Sequence, residues 1–409
     1  MEEIERLATE LQQENDQKTA SDPTIQTSLG VVEAFLKNHP VLCYGGTAIN
    51  NLLPVKDRFY NPKFDIPDYD FFSKTPQEHA TVVANQLAEK GILNIEVKPG
   101  MHLGTFKVFA NYEGVADITY LEPVLFDRLW KEDIVREGIH YVSPNFLRMS
   151  MYLELSRPRG DVSRWTKVFG RLELLNKEYP STCPANKTEF HKPITAEKKA
   201  ELMKLLKSEP VVLLAVSASE IHTNEELTTP IALLAEKSVI DRLIEGSKTK
   251  VDAATEILPP RTSILDDDGK AVVRFYETTA CHSFHTTPSG IRVASIPTIL
   301  QFFFAYIYTD ENDSNIANIL CIAQKLVDMA NHKPKRRFAL LTPKECLGKQ
   351  ETLVDMKKHK AELYSKLSKD RSSPEFLQYF YTYNPRDTAR TRRKNRRNLQ
   401  KTRKARSVV

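Results

Sequence analysis

Long apolar runs, regularly spaced cysteines and a basic leader are all missing from this chain. The longest apolar stretch, near Pro297 to Tyr308, falls short of the roughly 18 residues that a membrane span needs. Met1-Glu-Glu-Ile-Glu-Arg6 has no positively charged start of the kind that opens a secretory signal. The expectation is a cytoplasmic protein with no membrane partner. The five cysteines, Cys43, Cys183, Cys281, Cys321 and Cys346, are odd in number and far apart. They suggest neither a disulfide framework nor a zinc site, and a reducing compartment fits. Cys281, His282 and His285 have no fourth ligand at a suitable spacing. No internal repeat is visible by eye.

What is present suits a folded, multidomain protein. With 409 residues, 41% of them hydrophobic, the chain can form two or three domains with a substantial core. Its net charge of +5 conceals an asymmetry. Between Arg386 and Arg406, eleven Lys or Arg face one acid, Asp387, so the tail carries +10 and the remainder −5. Arg392, Arg393, Arg396 and Arg397 are its densest part. A mildly acidic body with such an end reads as a nucleic-acid arm, a nuclear-localisation signal or a solubilising tail, and these readings are compatible.

The pattern along the chain is α+β. Residues 1 to about 20 read as a charged helix with Ile4, Leu7 and Leu11 as an apolar stripe that could dock on the body or on a second subunit. Helices are expected at Val31 to Leu36 and Ala80 to Lys90, with strands at Val41 to Tyr44 and Ile92 to Val97. His102 to Asn111 and Gly114 to Leu121 form a hairpin. Ser143 to Tyr179 is helical apart from Arg157-Pro-Arg-Gly160. There, Arg164, Lys167 and Arg171 share one face, either facing a phosphate group or merely solvated, while Val168, Leu172 and Leu175 are buried. Trp165 and Tyr152 are either base-stacking groups or core. A polar linker from Pro180 to Glu197 leads to a strand at Val211 to Val216, then helix and loop over Pro230 to Glu245 and Val251 to Ile257. Asp266-Asp-Asp-Gly269 is a turn joining strands Arg261 to Leu265 and Ala271 to Tyr276. Helices follow at Thr298 to Tyr308, Asn315 to Asn331 and Glu351 to Lys369.

The most informative segment is Val41-Leu-Cys-Tyr-Gly-Gly-Thr-Ala-Ile-Asn50, with Asp68-Tyr-Asp70 and Asp117 after it. A buried strand ending in two glycines and opening a helix presents bare backbone amides, which suits a phosphate group. Asp68 and Asp70 alternate onto one face of a strand. Asp70 is followed by Phe71-Phe72, and Asp117 lies among Val115, Ala116, Ile118 and Tyr120. Carboxylates set in apolar strands are costly unless balanced by cations. Two or three of them can hold divalent ions that activate a hydroxyl and steady a leaving pyrophosphate.

Gly-Gly, Asp-x-Asp and a later strand aspartate, in that order, resemble the DNA polymerase beta-like nucleotidyltransferase superfamily. Tyr44-Gly-Gly-Thr-Ala-Ile-Asn-Asn51 and Asp68-Tyr-Asp-Phe-Phe-Ser73 resemble, more closely, the poly(A) polymerase catalytic subunits of large DNA viruses. The resemblance runs from about residue 30 to 180, and more faintly to 310. It implies Gly45, Gly46 and Thr47 as the phosphate loop and Asp68, Asp70 and Asp117 as catalytic metal ligands, while Arg164 and Lys167 are candidates for nucleotide contact from their shared helical face alone. It also implies Mg²⁺ or Mn²⁺, ATP as substrate, and the 3′ end of single-stranded RNA as acceptor. The long stretch between Gly46 and Asp68 departs from the superfamily, so Pro54 to Pro67, carrying Asp57 and Arg58, is expected to form a loop beside the site.

The implied fold is a nucleotidyltransferase palm plus a second, degenerate nucleotidyltransferase-like domain lacking the glycine loop and Asp-x-Asp. The implied partition is an N-terminal helical segment (1–30), palm (31–130), helical cleft wall and linker (131–197), second domain (198–310), helical region (311–385) and basic tail (386–409). A uridylyl-transferring or CCA-adding enzyme, an inactive RNA-binding partner and a protein-modifying nucleotidyltransferase are alternatives. Processivity through a separate subunit, a homodimer or the tail stays open.

Overall fold

The computed structural model of the chain describes residues 2–184, 192–309, 313–332 and 344–383. Two compact units emerge. One joins residues 1–142 to residues 353–383, and the other comprises residues 143–352. Among the described residues no helix is long and apolar enough to cross a membrane.

The first unit is built on a seven-stranded mixed sheet: β1 (Leu42–Tyr44), β2 (Tyr69–Ser73), β3 (Ile95–Pro99), β4 (Thr105–Ala110), β5 (Glu113–Tyr120), β6 (Ile134–Arg136) and β7 (Ile139–Tyr141). Their order is β3-β4-β5-β2-β1-β7-β6. β1 runs antiparallel to β2 and parallel to β7, and β2 runs parallel to β5. The helix Pro23–Asn38 starts where Asp22 accepts the Thr24 amide at 2.6 Å, an N-cap followed by Pro at the first helical position. Its Ile25, Leu29, Val32 and Phe35 recur at helical spacing and are buried. By contrast Ile4, Leu7 and Leu11 on the helix Glu2–Ala20 are exposed. The β4–β5 hairpin turns through Asn111 and Tyr112, both at positive φ, as a two-residue hairpin turn requires. The helix Leu353–Leu367 belongs to this unit: Lys360 donates to the Gly100 carbonyl at 3.1 Å, and Tyr383 donates to Asn85 at 2.7 Å.

The second unit has a small sheet, β8 (Lys192–Pro193) with β10 (Thr228–Thr229), and an eight-stranded one. The latter contains β9 (Val212–Leu213), β11 (Ile231–Ala235), β12 (Thr249–Asp252), β13 (Arg261–Leu265), β14 (Ala271–Glu277), β15 (His282–Thr286), β16 (Arg292–Ala294) and β17 (Glu345–Leu347). Its order, β12-β13-β14-β11-β9-β16-β15-β17, repeats the first sheet strand for strand and adds β17 at the edge. Directions match too: β9 is antiparallel to β11 and parallel to β16, and β11 is parallel to β14. The degenerate second domain implied by the resemblance is therefore present, and the repeat that was invisible in sequence lies in topology.

The helices that follow β7 and β16, Pro144–Leu155 and Ile296–Ile307, pack together inside this unit. Tyr152 stacks on Phe304 with centroids 6.0 Å apart, and Ser143 and Tyr308 share a hydrogen bond of 2.6 Å. Tyr152 is fully buried, so it is core and not a base platform. Buried beside it, Arg148 donates to Asn176 and Asn145 at 2.7 and 2.6 Å. Desolvation pulls the Arg148 pKa down to about 10.

Three expectations need correction. Ile231–Ala235, read as helix, is a strand buried throughout. An apolar run of Ala and Leu covered on both faces carries no alternation to betray it. Val211 to Val216, read as one strand, stops at Leu213, and a helix begins at Ala215. Four cysteines are paired, Cys183 with Cys321 and Cys281 with Cys346, across 138 and 65 residues of sequence, leaving Cys43 free and buried. Spacing along the chain says nothing about pairs that only the tertiary fold brings together.

Glu220, buried in the helix Ala215–Thr223, accepts the Thr228 amide at 3.1 Å and the Thr228 hydroxyl. Burial outweighs those hydrogen bonds and raises its pKa from 4.5 to about 7. The folded state thus keeps a proton that the unfolded chain releases, so this group's effect on stability turns unfavourable as pH rises from 4.5 to about 7. Glu220→Gln should flatten that decline in melting curves recorded across the interval. Parallel wild-type and variant profiles would contradict the assignment.

Candidate functional site

The register of β1, β2 and β5 assembles the site. Tyr44 pairs with Asp70 across β1 and β2, and Asp70 with Asp117 across β2 and β5. Asp68 directly precedes β2. One carboxylate oxygen from each of Asp68, Asp70 and Asp117 lies within 4.8 Å of the other two. Asp68 is exposed, and Asp70 and Asp117 are half-buried. Three carboxylates this close, with two seated in apolar strands, fit one or two hard cations with oxygen ligands.

Gly45 is required by this geometry. Its φ of +73° is left-handed, and a Cβ there would overlap the Asp70 carboxylate. The helix Gly45–Leu52 then opens without a side-chain cap, which leaves its first amides, Gly46 and Thr47 included, as donors for a phosphate group. The Thr47 side chain points elsewhere. Its buried hydroxyl donates to the Asp68 carbonyl at 2.6 Å, holding the backbone of one carboxylate. Behind the site Tyr44 stacks on Phe72, centroids 3.9 Å apart, and its hydroxyl bonds Thr119 at 2.9 Å. Burial first, and then the charge of Asp70, raise the pKa of both Cys43 and Tyr44, so both stay neutral at the edge of the anionic cluster.

Two neighbours escaped the sequence reading. Lys107, directly opposite Asp117 in the β4–β5 register, makes an ion pair with it. A lone lysine in the apolar run Phe106 to Ala110 was its signal. Asn50 accepts the backbone amides of Phe59 and Tyr60 at 3.0 and 2.9 Å. It thereby pins the loop between Pro54 and Pro67, where Asp65 caps the Asn61 amide at 2.7 Å.

The remaining candidates belong to the second unit or fall outside the described residues. Arg164 and Lys167 are exposed in the second unit, and Arg164 makes an ion pair with Glu154 at 2.8 Å. Val168, Leu172 and Leu175 of the same segment are buried, as the amphipathic pattern requires. Trp165 is half-buried and donates to the Glu154 carbonyl at 3.2 Å. Cys281 is in a disulfide. Arg392, Arg393, Arg396 and Arg397 lie outside the described residues.

Residues 30–161, which contain the three aspartates and the glycine turn, match the family model of the poly(A) polymerase catalytic subunit. The family resemblance holds. A putative poly(A) polymerase catalytic subunit of African swine fever virus (isolate Tick/Malawi/Lil 20-1/1983) is 30% identical over 179 residues, 42% of this chain and 37% of that protein. Its counterpart in Acanthamoeba polyphaga mimivirus is 31% identical over 166 residues, 39% of this chain and 28% of that protein. The matched region thus spans about a third of the length of these relatives. In fold, the chain is similar to the crystal structure of the Megavirus polyadenylate synthase, with a TM-score of 0.77 and 20% identity over 98% of this chain and 88% of that one. The α+β fold class read from sequence is borne out.

Gly45→Ala should cost about 1–3 kcal/mol of stability through the left-handed backbone and the displaced carboxylate, and it should weaken Mn²⁺ binding. Gly30→Ala, in a helix with nothing within 4 Å of the added Cβ, should be neutral or stabilising. Denaturant unfolding and Mn²⁺ titration followed by electron paramagnetic resonance check both. Equal behaviour of the two variants would refute the steric account.

Proposed function

We propose that this chain is a template-independent polynucleotide adenylyltransferase that transfers AMP from ATP to the 3′-hydroxyl of single-stranded RNA and releases pyrophosphate. The observation that carries the reading is the convergence of Asp68, Asp70 and Asp117 beside the left-handed turn at Gly45. The family match over the same residues supports it and supplies the choice of adenine and RNA.

Asp68 and Asp70 would hold Mg²⁺ or Mn²⁺ together with Asp117. When bound, a divalent cation supplies Lewis acidity toward the attacking hydroxyl and balances charge on the leaving pyrophosphate. Asp117 would accept the proton of the 3′-hydroxyl, oriented by Lys107. The amides of Gly46 and Thr47 would donate to the β- and γ-phosphates, positioning work that phosphoryl transfer mainly requires. Gly45 lets that backbone approach closely, and Thr47 fixes Asp68. The basic residues 386–409, Arg392, Arg393, Arg396 and Arg397 among them, would follow the RNA backbone by charge.

A labelled oligo(A) primer incubated with each NTP in turn, with Mg²⁺ or Mn²⁺, tests the reading. ATP alone should give long tails, and Asp68→Ala/Asp70→Ala should reduce them by a factor on the order of a thousand. Products with another nucleotide would change the enzyme assigned. No product from folded protein that binds RNA would favour an inactive partner. Deleting residues 386–409 should weaken RNA binding and flatten its salt dependence, because each lost phosphate contact removes about 0.7 from the log–log slope for single strands. Filter binding at several salt concentrations reads both quantities, and an unchanged slope would discard the RNA-arm role.

A further inference from the structure

The repeated topology makes the second sheet comparable, residue for residue, with the first. Cys43 pairs with Phe71 and Tyr141 just as Leu213 pairs with Leu233 and Val293. It follows that Gly45 corresponds to Ala215, Asp68 to Pro230 and Asp70 to Ala232. Through the parallel pairs Asp70↔Asp117 and Ala232↔Arg274, Asp117 corresponds to Arg274. Ala215 even keeps the left-handed turn, with φ of +49°.

The site has inverted its charge and kept its space. A cavity of about 250 Å³ is lined by Ala215, Pro230, Ala232, Arg274, Tyr276 and Tyr306, among others. Three carboxylates have given way to a half-buried guanidinium that makes no hydrogen bond or ion pair among the described residues. Arg261 also borders the cavity, but it is held by Asp252 through bonds of 2.9 and 2.7 Å. The helix Ala215–Thr223 opens at the cavity without a side-chain cap. Across from it, the Tyr306 hydroxyl is buried, its ring 6.1 Å from that of Tyr276. With no carboxylate at the three former ligand positions, cation binding there is lost. A cationic side chain, uncapped amides and aromatic walls suit an anion attached to a flat ring.

We propose that this cavity binds a nucleoside monophosphate without a metal ion, its phosphate on Arg274 and the first amides of the helix that starts at Ala215, its base against Tyr276 and Tyr306. The proposal is independent of the activity proposed above, because its test uses neither the aspartates nor a cation. Full-length Asp68→Ala/Asp70→Ala protein in EDTA is titrated calorimetrically with AMP, then with adenosine. The expected result is one AMP site per chain, weakened about tenfold or more by adding Arg274→Glu or by removing the phosphate from the ligand. Absence of AMP binding in EDTA, or affinity indifferent to Arg274→Glu and to the phosphate, would overturn it. Should Arg274→Glu fail to fold, photocrosslinking of an azido-substituted AMP to the Asp68→Ala/Asp70→Ala protein decides the matter. Adducts on residues 271–277 or 296–308 support the site, and adducts confined to residues 42–73, or none, reject it.

Discussion

Mutual repulsion among three carboxylates is the constraint around which the first unit is organised. Asp68, Asp70 and Asp117 approach within 4.8 Å, a separation at which like charges repel one another. The surrounding sheet holds them there. Asp70 and Asp117 are fixed by ladder bonds on adjacent parallel strands, Asp68 by the buried Thr47 hydroxyl, and Asp117 also by Lys107. The apolar residues on either side, Tyr69, Phe71, Ala116 and Ile118, are buried, so the carboxylates cannot swing apart without unpacking a core. Rigid strands in place of loops give such a constellation its precision.

The second sheet shows what the same topology does when that constraint is lifted. Its strands pair in the same order and directions, yet Pro230, Ala232 and Arg274 stand where the acids were. Ala215 still adopts the conformation that Gly45 needs, although no carboxylate crowds it. The turn therefore belongs to the strand-to-helix connection itself. In both repeats a hydroxyl ties the helix start to the neighbouring strand: Thr47 donates to Asp68, and Ser217 accepts from Ala232 at 3.1 Å.

Much of the candidate site was legible in sequence because its parts are local. Gly45-Gly46 after Leu42-Cys43-Tyr44 specifies a strand, turn and helix start, and Asp68 with Asp70 carries the two-residue period of a strand. Asp117 was legible because a carboxylate among Val115, Ala116 and Ile118 is expensive without a partner. Lys107 and Asn50 were not, because their roles depend on register and on a loop folding back. The fold was read well where amphipathic periodicity or turn chemistry was strong, as at Pro76–Glu89 and the Asp266 to Gly269 turn. It was misread at Ile231–Ala235, where burial on both faces erases the pattern. The duplication was hidden because topology is a relation among hydrogen-bonded strands, and two sequences can satisfy it with different residues throughout.

The placement of residues 353–383 bears on how the protein is made. Tyr381 bonds Thr81 at 2.8 Å, and the Tyr383 amide donates to the Val97 carbonyl at 3.1 Å. The second unit is thus threaded between two parts of the first. During synthesis the aspartate-bearing sheet leaves the ribosome long before these tyrosines. It must wait, with the outer faces of Pro76–Glu89 and β3 still uncovered, while some two hundred intervening residues are translated. A ribosome stalled anywhere in that interval would release a chain whose first domain has every strand but lacks its last cover.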